Sequence, residues 1–217
     1  GVGKFSFINS NRPADAEKPE FVKLLTEADA LWFMGGDQEE LSRLFVNPIH
    51  PTKFQLEVAN LIRRGGVVGG SSAGCSFMSD VMIGGTLNGN DEEPAKPDLS
   101  RGIGLLANVV AEQHFDARRG RMERFSDVMR ERVQITNLSP KIDPQRMIGI
   151  AVEEGTAMLI RRNRVRVVGR HRAHLVLRSS PHDTLVWHSL ESGDSGIVTT
   201  RPDGSNHFAF EEWSAGQ

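Results

Sequence analysis

The chain contains one cysteine, no hydrophobic run of transmembrane length, and no excess of positive charge. Each lack removes a class of protein. A lone Cys75 cannot close an intramolecular disulfide, so no disulfide framework staples this fold, and a single thiol fits a reducing compartment. A spanning helix needs about 20 consecutive apolar residues, and the sequence offers none. A net charge of −2 and a pI near 6.4 supply no field for nucleic acid or an anionic membrane surface, since both need a basic excess. No GxGxxG occurs, and no lysine follows the glycines at 65–70, which excludes a dinucleotide-binding turn and a P-loop. What remains is an ordinary globular composition of 217 residues, 38% hydrophobic, read as a single domain over 1–217 with a sizeable core.

Periodicity then orders the chain. Residues 5–8 read as a short strand, 19–26 as a helix carrying Phe21, Leu24 and Leu25, and 28–34 as an apolar strand that ends at Gly35-Gly36. Asp37 with Glu40 has capping-box spacing and starts a helix through Leu41 and Leu44. Phe54, Val58, Leu61 and Ile62 share one helical face, stopped by Gly65-Gly66, and Val67-Val68 form the next strand. Strand and helix alternating in this way predict an α/β fold, a three-layer αβα sandwich around a mostly parallel sheet with helices on both faces. Ligands in such folds sit at the carboxyl ends of the strands. Residues 86–101 read as a loop, and 109–111 as a strand delivering Glu112-Gln113-His114-Phe115. A basic helix follows with Arg118, Arg119, Arg121 and Arg124, and an apolar side of Met122, Phe125 and Met129. Residues 134–145 read as a loop, 147–152 as a central strand, and 158–160, 165–168 and 175–177 as β hairpins decorating one edge at the C-terminal end.

The chemistry concentrates at the string Gly69-Gly70-Ser71-Ser72-Ala73-Gly74-Cys75. Its GxSxG pattern falls on Gly70, Ser72 and Gly74, where glycines permit the sharp strand-to-helix turn of a nucleophile elbow. The amide of Ala73 would then face a developing oxyanion. The competing reading is a glycine-rich βα turn with no chemistry. A serine hydroxyl needs a base to take its proton, and the base needs an acid to orient it. Ser72, His114 and Glu154 each follow an apolar strand, so a parallel sheet brings them to one edge. Glu153 and Asp116 compete for the acid's place, and strand alternation lets only one of Glu153 and Glu154 face His114. The order Ser, His, Glu differs from the Ser, acid, His order of α/β-hydrolases. Cys75 reads as a small buried thiol. His171, His174, His182, His188 and His207 match no helical ligand spacing and read as scattered surface histidines, with no metal or cofactor expected.

Five elements together resemble a known family. They are Gly35-Gly36-Asp37-Gln38, the elbow, Gln113-His114-Phe115, Arg119-Gly120-Arg121 with Arg124, and residues 149–157. In that order they resemble the cyanophycinase branch of the S51 serine peptidases, over residues 28–170. The resemblance implies a flavodoxin-like or class I glutaminase-like fold and a homodimer. It implies Ser72 as nucleophile, His114 as base and Glu154 as acid, with an oxyanion hole from Ala73 N–H and a Gly35 or Gly36 N–H. Asp37, Gln38, Glu112, Gln113, Arg119, Arg121 and Arg124 would line the substrate site. The implied substrate is cyanophycin, a polyaspartate bearing arginine on its β-carboxyls, released as β-aspartyl-arginine dipeptides. An aspartyl dipeptidase of the same family and a non-catalytic glutaminase-like binding domain are the alternatives. The chain departs from the family pattern in having Glu112 for Asp, one extra residue before the arginine element, and a longer segment between Arg124 and Gly149. It is expected to lack one or more N-terminal βα units, and a cytoplasmic location is expected, with a secreted form left open.

Overall fold

The computed structural model describes residues 3–84, 98–117, 120–138, 141–179 and 184–213, and its strands sort into three sheets. Strands β1 (Ala30–Phe33) and β2 (Val67–Gly70) pair in parallel. The central sheet contains β3 (Ser79–Ile83), β4 (Leu99–Arg101), β5 (Leu106–Glu112), β6 (Ile148–Val152), β9 (Ala173–Ser179) and β10 (Thr184–Leu190), in the order β10-β9-β6-β5-β3-β4. It is parallel at β3-β5-β6 and antiparallel towards both edges. The third sheet is antiparallel, β12-β11-β8-β7, from β7 (Thr156–Arg161), β8 (Arg164–Gly169), β11 (Ser195–Thr200) and β12 (Asn206–Phe210). Six helices accompany them among the described residues: α1 (Pro19–Thr26), α2 (Gln38–Phe45), α3 (Lys53–Arg63), α4 (Ala73–Phe77), α5 (Arg121–Arg130) and α6 (Val133–Leu138). The α/β class, with a sheet parallel at its centre and antiparallel strands towards the C-terminal end, agrees with the sequence reading.

Local chemistry explains the helix starts. Thr52 Oγ1 accepts from Gln55 N at 3.1 Å while Gln55 Oε1 accepts from Thr52 N at 3.0 Å, a complete capping box for α3. At α2 only half of the expected box forms. Asp37 Oδ1 accepts from Glu39 N and Glu40 N, but the Glu40 carboxylate turns to Arg43 at 2.6 Å.

Strand β6 shows what lies on each face of the central sheet. Ile148, Ile150 and Val152 point towards Val165 and Val167 of β8 and Phe208 of β12, whereas Ala151 points towards Phe125, Val128 and Met129 of α5 and Ile135 of α6. Gly149 lies on the helical side, where a Cβ would come within 2.7 Å of the Phe125 ring. Helix α5 therefore packs against bare backbone. At the β1–β2 end, α1, α2 and α3 bury Leu25, Phe45, Phe54 and Val58 around Phe33 and Phe77, with Phe45 and Phe54 stacked at 4.4 Å.

Several expectations need correction. Residues 5–8 form no strand, and Phe5 and Phe7 are exposed. Strand β4 occupies 99–101, inside the stretch read as a loop, because Leu99 pairs with Ile83; residues 86–97 of that stretch lie outside the described residues. Helix α6 forms where 134–145 was expected to be loop, because Ile135 has a core to enter. Only β9 and β10 extend the central sheet's edge; β7, β8, β11 and β12 cover its face, driven by the alternating burial of Val165 and Val167. Met122 is exposed because the buried face of α5 is Arg121, Phe125, Val128 and Met129.

Candidate active site

The turn from β2 into α4 holds Ser72 at φ 52° and ψ −125°, a left-handed backbone that non-glycine residues seldom adopt. The flanking glycines are steric requirements. A Cβ on Gly70 would lie 2.3 Å from the Gly74 carbonyl oxygen, and one on Gly74 would lie 2.3 Å from that of Phe33. His114, just past β5, is also left-handed at φ 50°. Strain of this kind costs on the order of 1–3 kcal/mol per residue and persists only where the surroundings over-determine it.

The two strained residues meet. Ser72 Oγ lies 2.9 Å from His114 Nε2, and His114 Nδ1 lies 2.8 Å from Glu154 Oε1. With Nδ1–H donated to the carboxylate, the Nε2 lone pair is directed at the serine hydroxyl. The parallel pairing of β5 and β6 sets Glu112 beside Ala151, so the loops after the two strands emerge together. Phe115 N donates to the Val152 carbonyl at 3.2 Å and Glu154 N donates to Asp116 Oδ1 at 2.9 Å, which ties one loop to the other.

Of the three carboxylates near the histidine, Glu154 alone reaches its ring. Asp116 is occupied by the Glu154 backbone, and Glu153 turns the opposite way, accepting from Arg172 N at 2.9 Å and lying 3.1 Å from His174 Nε2. Gly35 comes over the serine closely enough that a Cβ there would lie 3.0 Å from Ser72 Cβ, and the adjoining Gly36 has φ +140°. Ala73 opens α4, so its N–H stands at the first helical position, where an amide has no intrahelical acceptor.

The model of peptidase family S51 matches residues 10–168 of this chain. The chain belongs to peptidase family S51. A cyanophycinase from Synechococcus elongatus is 29% identical over 174 residues, 78% of this chain and 48% of that protein. One from Geminocystis herdmanii is 26% identical over 156 residues, 71% of this chain and 51% of that protein. The chain thus spans about half the length of the curated relatives it matches. The crystal structure of a peptidase from an acI-B1 Actinobacterium superposes with a TM-score of 0.56 at 23% identity, covering 85% of this chain and 65% of that one, a likeness of fold.

The residues expected to line an S51 substrate site divide sharply. Glu112 is buried between Arg121 and Arg124, with Arg124 Nη2 3.0 Å from its Oε2, and Arg121, itself buried, bonds its Oε1. Glu112 and Arg121 therefore neutralise each other inside the protein. Arg124 is more open. Gln38 is buried and donates Nε2 to the Ile83 carbonyl at 2.8 Å, and Asp37 serves as the α2 cap, so both have structural work at the turn. Gln113 is buried beside His114, its Oε1 without a hydrogen-bond partner among the described residues. Arg119, with Arg118, lies outside the described residues. Burial, and secondarily the Glu112 charge, pushes the Cys75 thiol up to about 11, so it stays protonated at neutral pH.

Sequence reasoning missed His174. It is not a surface residue: it is 8% exposed on β9, across from Ser189 of β10. The apolar run around it, Ala173 to Leu177 on a strand paired on both sides, was the available signal. Its partner Glu153 also lines a cleft of about 520 Å³ with Arg170, His171, Arg172, Glu191 and Ser192.

Proposed function

We propose that this chain carries the hydrolytic site of a serine peptidase acting on cyanophycin and releasing β-aspartyl-arginine dipeptides. The observation that carries the reading is the continuous hydrogen-bonded chain from Ser72 Oγ through His114 to Glu154, built on two left-handed residues. In the proposed cycle Ser72 Oγ attacks the scissile carbonyl carbon and its proton passes to His114 Nε2. Glu154 holds the imidazole in the productive tautomer and steadies its positive charge. The oxyanion accepts from Ala73 N–H and from the Gly35 or Gly36 amide, each such donor contributing roughly 3 kcal/mol in comparable sites. Collapse expels the amine with the proton from His114, and water then hydrolyses the acyl-serine by the same steps.

Support for this substrate comes from the family relatives named as cyanophycinases, and Arg124 and Arg119 are the arginines proposed to receive α-carboxylates. The mutual pairing of Glu112 with Arg121 favours a second reading, an aspartyl dipeptidase, because it removes one acidic and one basic group from the substrate's reach. A fluorophosphonate probe should label Ser72 in wild-type protein and not in Ser72→Ala. Cyanophycin should release β-aspartyl-arginine, while α-aspartyl dipeptides are left intact. Labelling at Ser72 combined with cleavage of α-aspartyl dipeptides alone replaces the first substrate by the second, and no labelling under conditions where the protein is folded removes the serine peptidase reading.

A further inference from the structure

Behind the Ser72–His114–Glu154 chain runs a second one. His174 Nε2 lies 3.1 Å from Glu153 Oε1 and its Nδ1 lies 2.9 Å from Ser189 Oγ. Its ring also packs against Phe115 at 5.3 Å and Trp187 at 6.2 Å between centroids. Glu153 precedes Glu154 and Phe115 follows His114, so this buried imidazole touches the chain neighbour of each partner in the 2.8 Å His114–Glu154 contact.

That contact needs outside support. The Glu154 side chain is 55% exposed and that of His114 30% exposed. A hydrogen bond so open to water contributes on the order of 1 kcal/mol or less and does not hold two mobile side chains in one geometry. The alignment must come from the backbone. Glu154 N is held by Asp116, and the residue before it is held more firmly still: Glu153 N donates to Arg172 O at 3.1 Å, Arg172 N donates back to Glu153 Oε2 at 2.9 Å, and Glu153 Oε1 meets His174. On the other loop, left-handed His114 is followed by Phe115, whose ring is enclosed by Phe125, His174 and Trp187.

We propose that His174 is a positioning residue that sets the alignment of Glu154 with His114 by fixing Glu153 on one loop and Phe115 on the other. The inference rests on reading Ser72, His114 and Glu154 as the catalytic apparatus. His174 touches no reacting atom and acts through its neighbours.

The test compares variants at one position. His174→Leu removes both hydrogen bonds at similar volume. His174→Gln brings its amide nitrogen near the Nε2 position and can donate to Glu153, whereas His174→Asn reaches only the Nδ1 position, towards Ser189. His174→Leu should lower kcat and the rate of fluorophosphonate labelling at Ser72 by about 100-fold, the scale of an ångström of misplacement, with KM little changed. His174→Gln should recover most of the loss. The low-field proton resonance of His114 Nδ1–H should be present in wild type and His174→Gln and lost in His174→Leu. A folded His174→Leu that labels at the wild-type rate and keeps that resonance overturns the proposal. If His174→Leu does not fold, the Gln and Asn variants decide, and equal labelling rates for the two overturn it. Failure of wild-type protein to label would instead sink the underlying reading, and the proposal with it.

Discussion

Two chains of the same three side-chain types, serine to histidine to glutamate, lie almost back to back in this protein, anchored on adjacent glutamates. In one, Ser72 and His114 occupy left-handed turns at the ends of β2 and β5. In the other, His174 and Ser189 are cross-strand partners in the regular ladder of β9 and β10. The comparison teaches that side-chain constellation does not make a nucleophile. A strained turn exposes the hydroxyl and brings the next amide to bear on the same side, whereas successive N–H groups of a strand point to opposite edges and cannot converge on one oxygen. Backbone geometry separates the proposed site from its look-alike.

The comparison is most directly broken by exchanging the two serines' fates. Ser72→Ala should abolish hydrolysis and probe labelling, a loss on the order of a millionfold if the members act as a unit, while Ser189→Ala should remain an active enzyme. An active Ser72→Ala, or an inactive but folded Ser189→Ala, would reverse which chain is the site. The glutamates come next. Glu154→Gln should cost about 10⁴ in kcat, the scale of a neutralised triad acid, and Glu153→Gln far less, because its amide still offers an oxygen to His174. Steady-state kinetics showing near-wild-type turnover for Glu154→Gln would move the acid's role to Glu153 or Asp116.

A third prediction concerns stability more than chemistry. Arg121→Ala removes the buried partner of Glu112, leaving it only the more open Arg124, and should destabilise the fold by about 3 kcal/mol in denaturant titration, whereas exposed Arg132→Ala should fall within about 0.5 kcal/mol. An unchanged denaturation midpoint for Arg121→Ala, together with a raised KM for cyanophycin, would return Arg121 to the substrate. The smallest effect belongs to Cys75. With its thiol pushed up to about 11, the reactive thiolate forms only as pH rises towards that value. Iodoacetamide should therefore alkylate folded protein slowly at pH 8 and faster above pH about 10, and Cys75→Ala should keep substantial activity. Rapid alkylation at pH 8 that silences the enzyme would count against this assignment.

Much of the site was legible in the sequence because its signals are local. Gly70 reports a turn whose own backbone would collide with any Cβ, and Asp37 and Thr52 report helix starts within three residues of themselves. The capping pattern was still incomplete at α2, where Glu40 found Arg43 instead of its own backbone. Strand β4 and helix α6 escaped notice because their sequences are too short to show a period and become ordered through Ile83 and the core around Ile135. His174 was misread for a related reason: a histidine in a strand is surface or core according to what covers that face, and the covering elements, α5 and the loop of Phe115, lie far away in sequence.

The sequence by itself determined where the chemistry-bearing residues stand relative to their own strands: Ser72 after β2, His114 after β5, Glu154 after β6. Those placements depend on hydrophobic period and on glycine, which act over a few residues. Tertiary structure alone decided which carboxylate meets His114, since Glu153 and Glu154 differ only in the face of β6 they extend. It also turned Glu112 and Arg121 inward onto each other, because the approach of α5 over Gly149 leaves both side chains without water, and a buried charge must take its counter-charge from whatever the packing supplies.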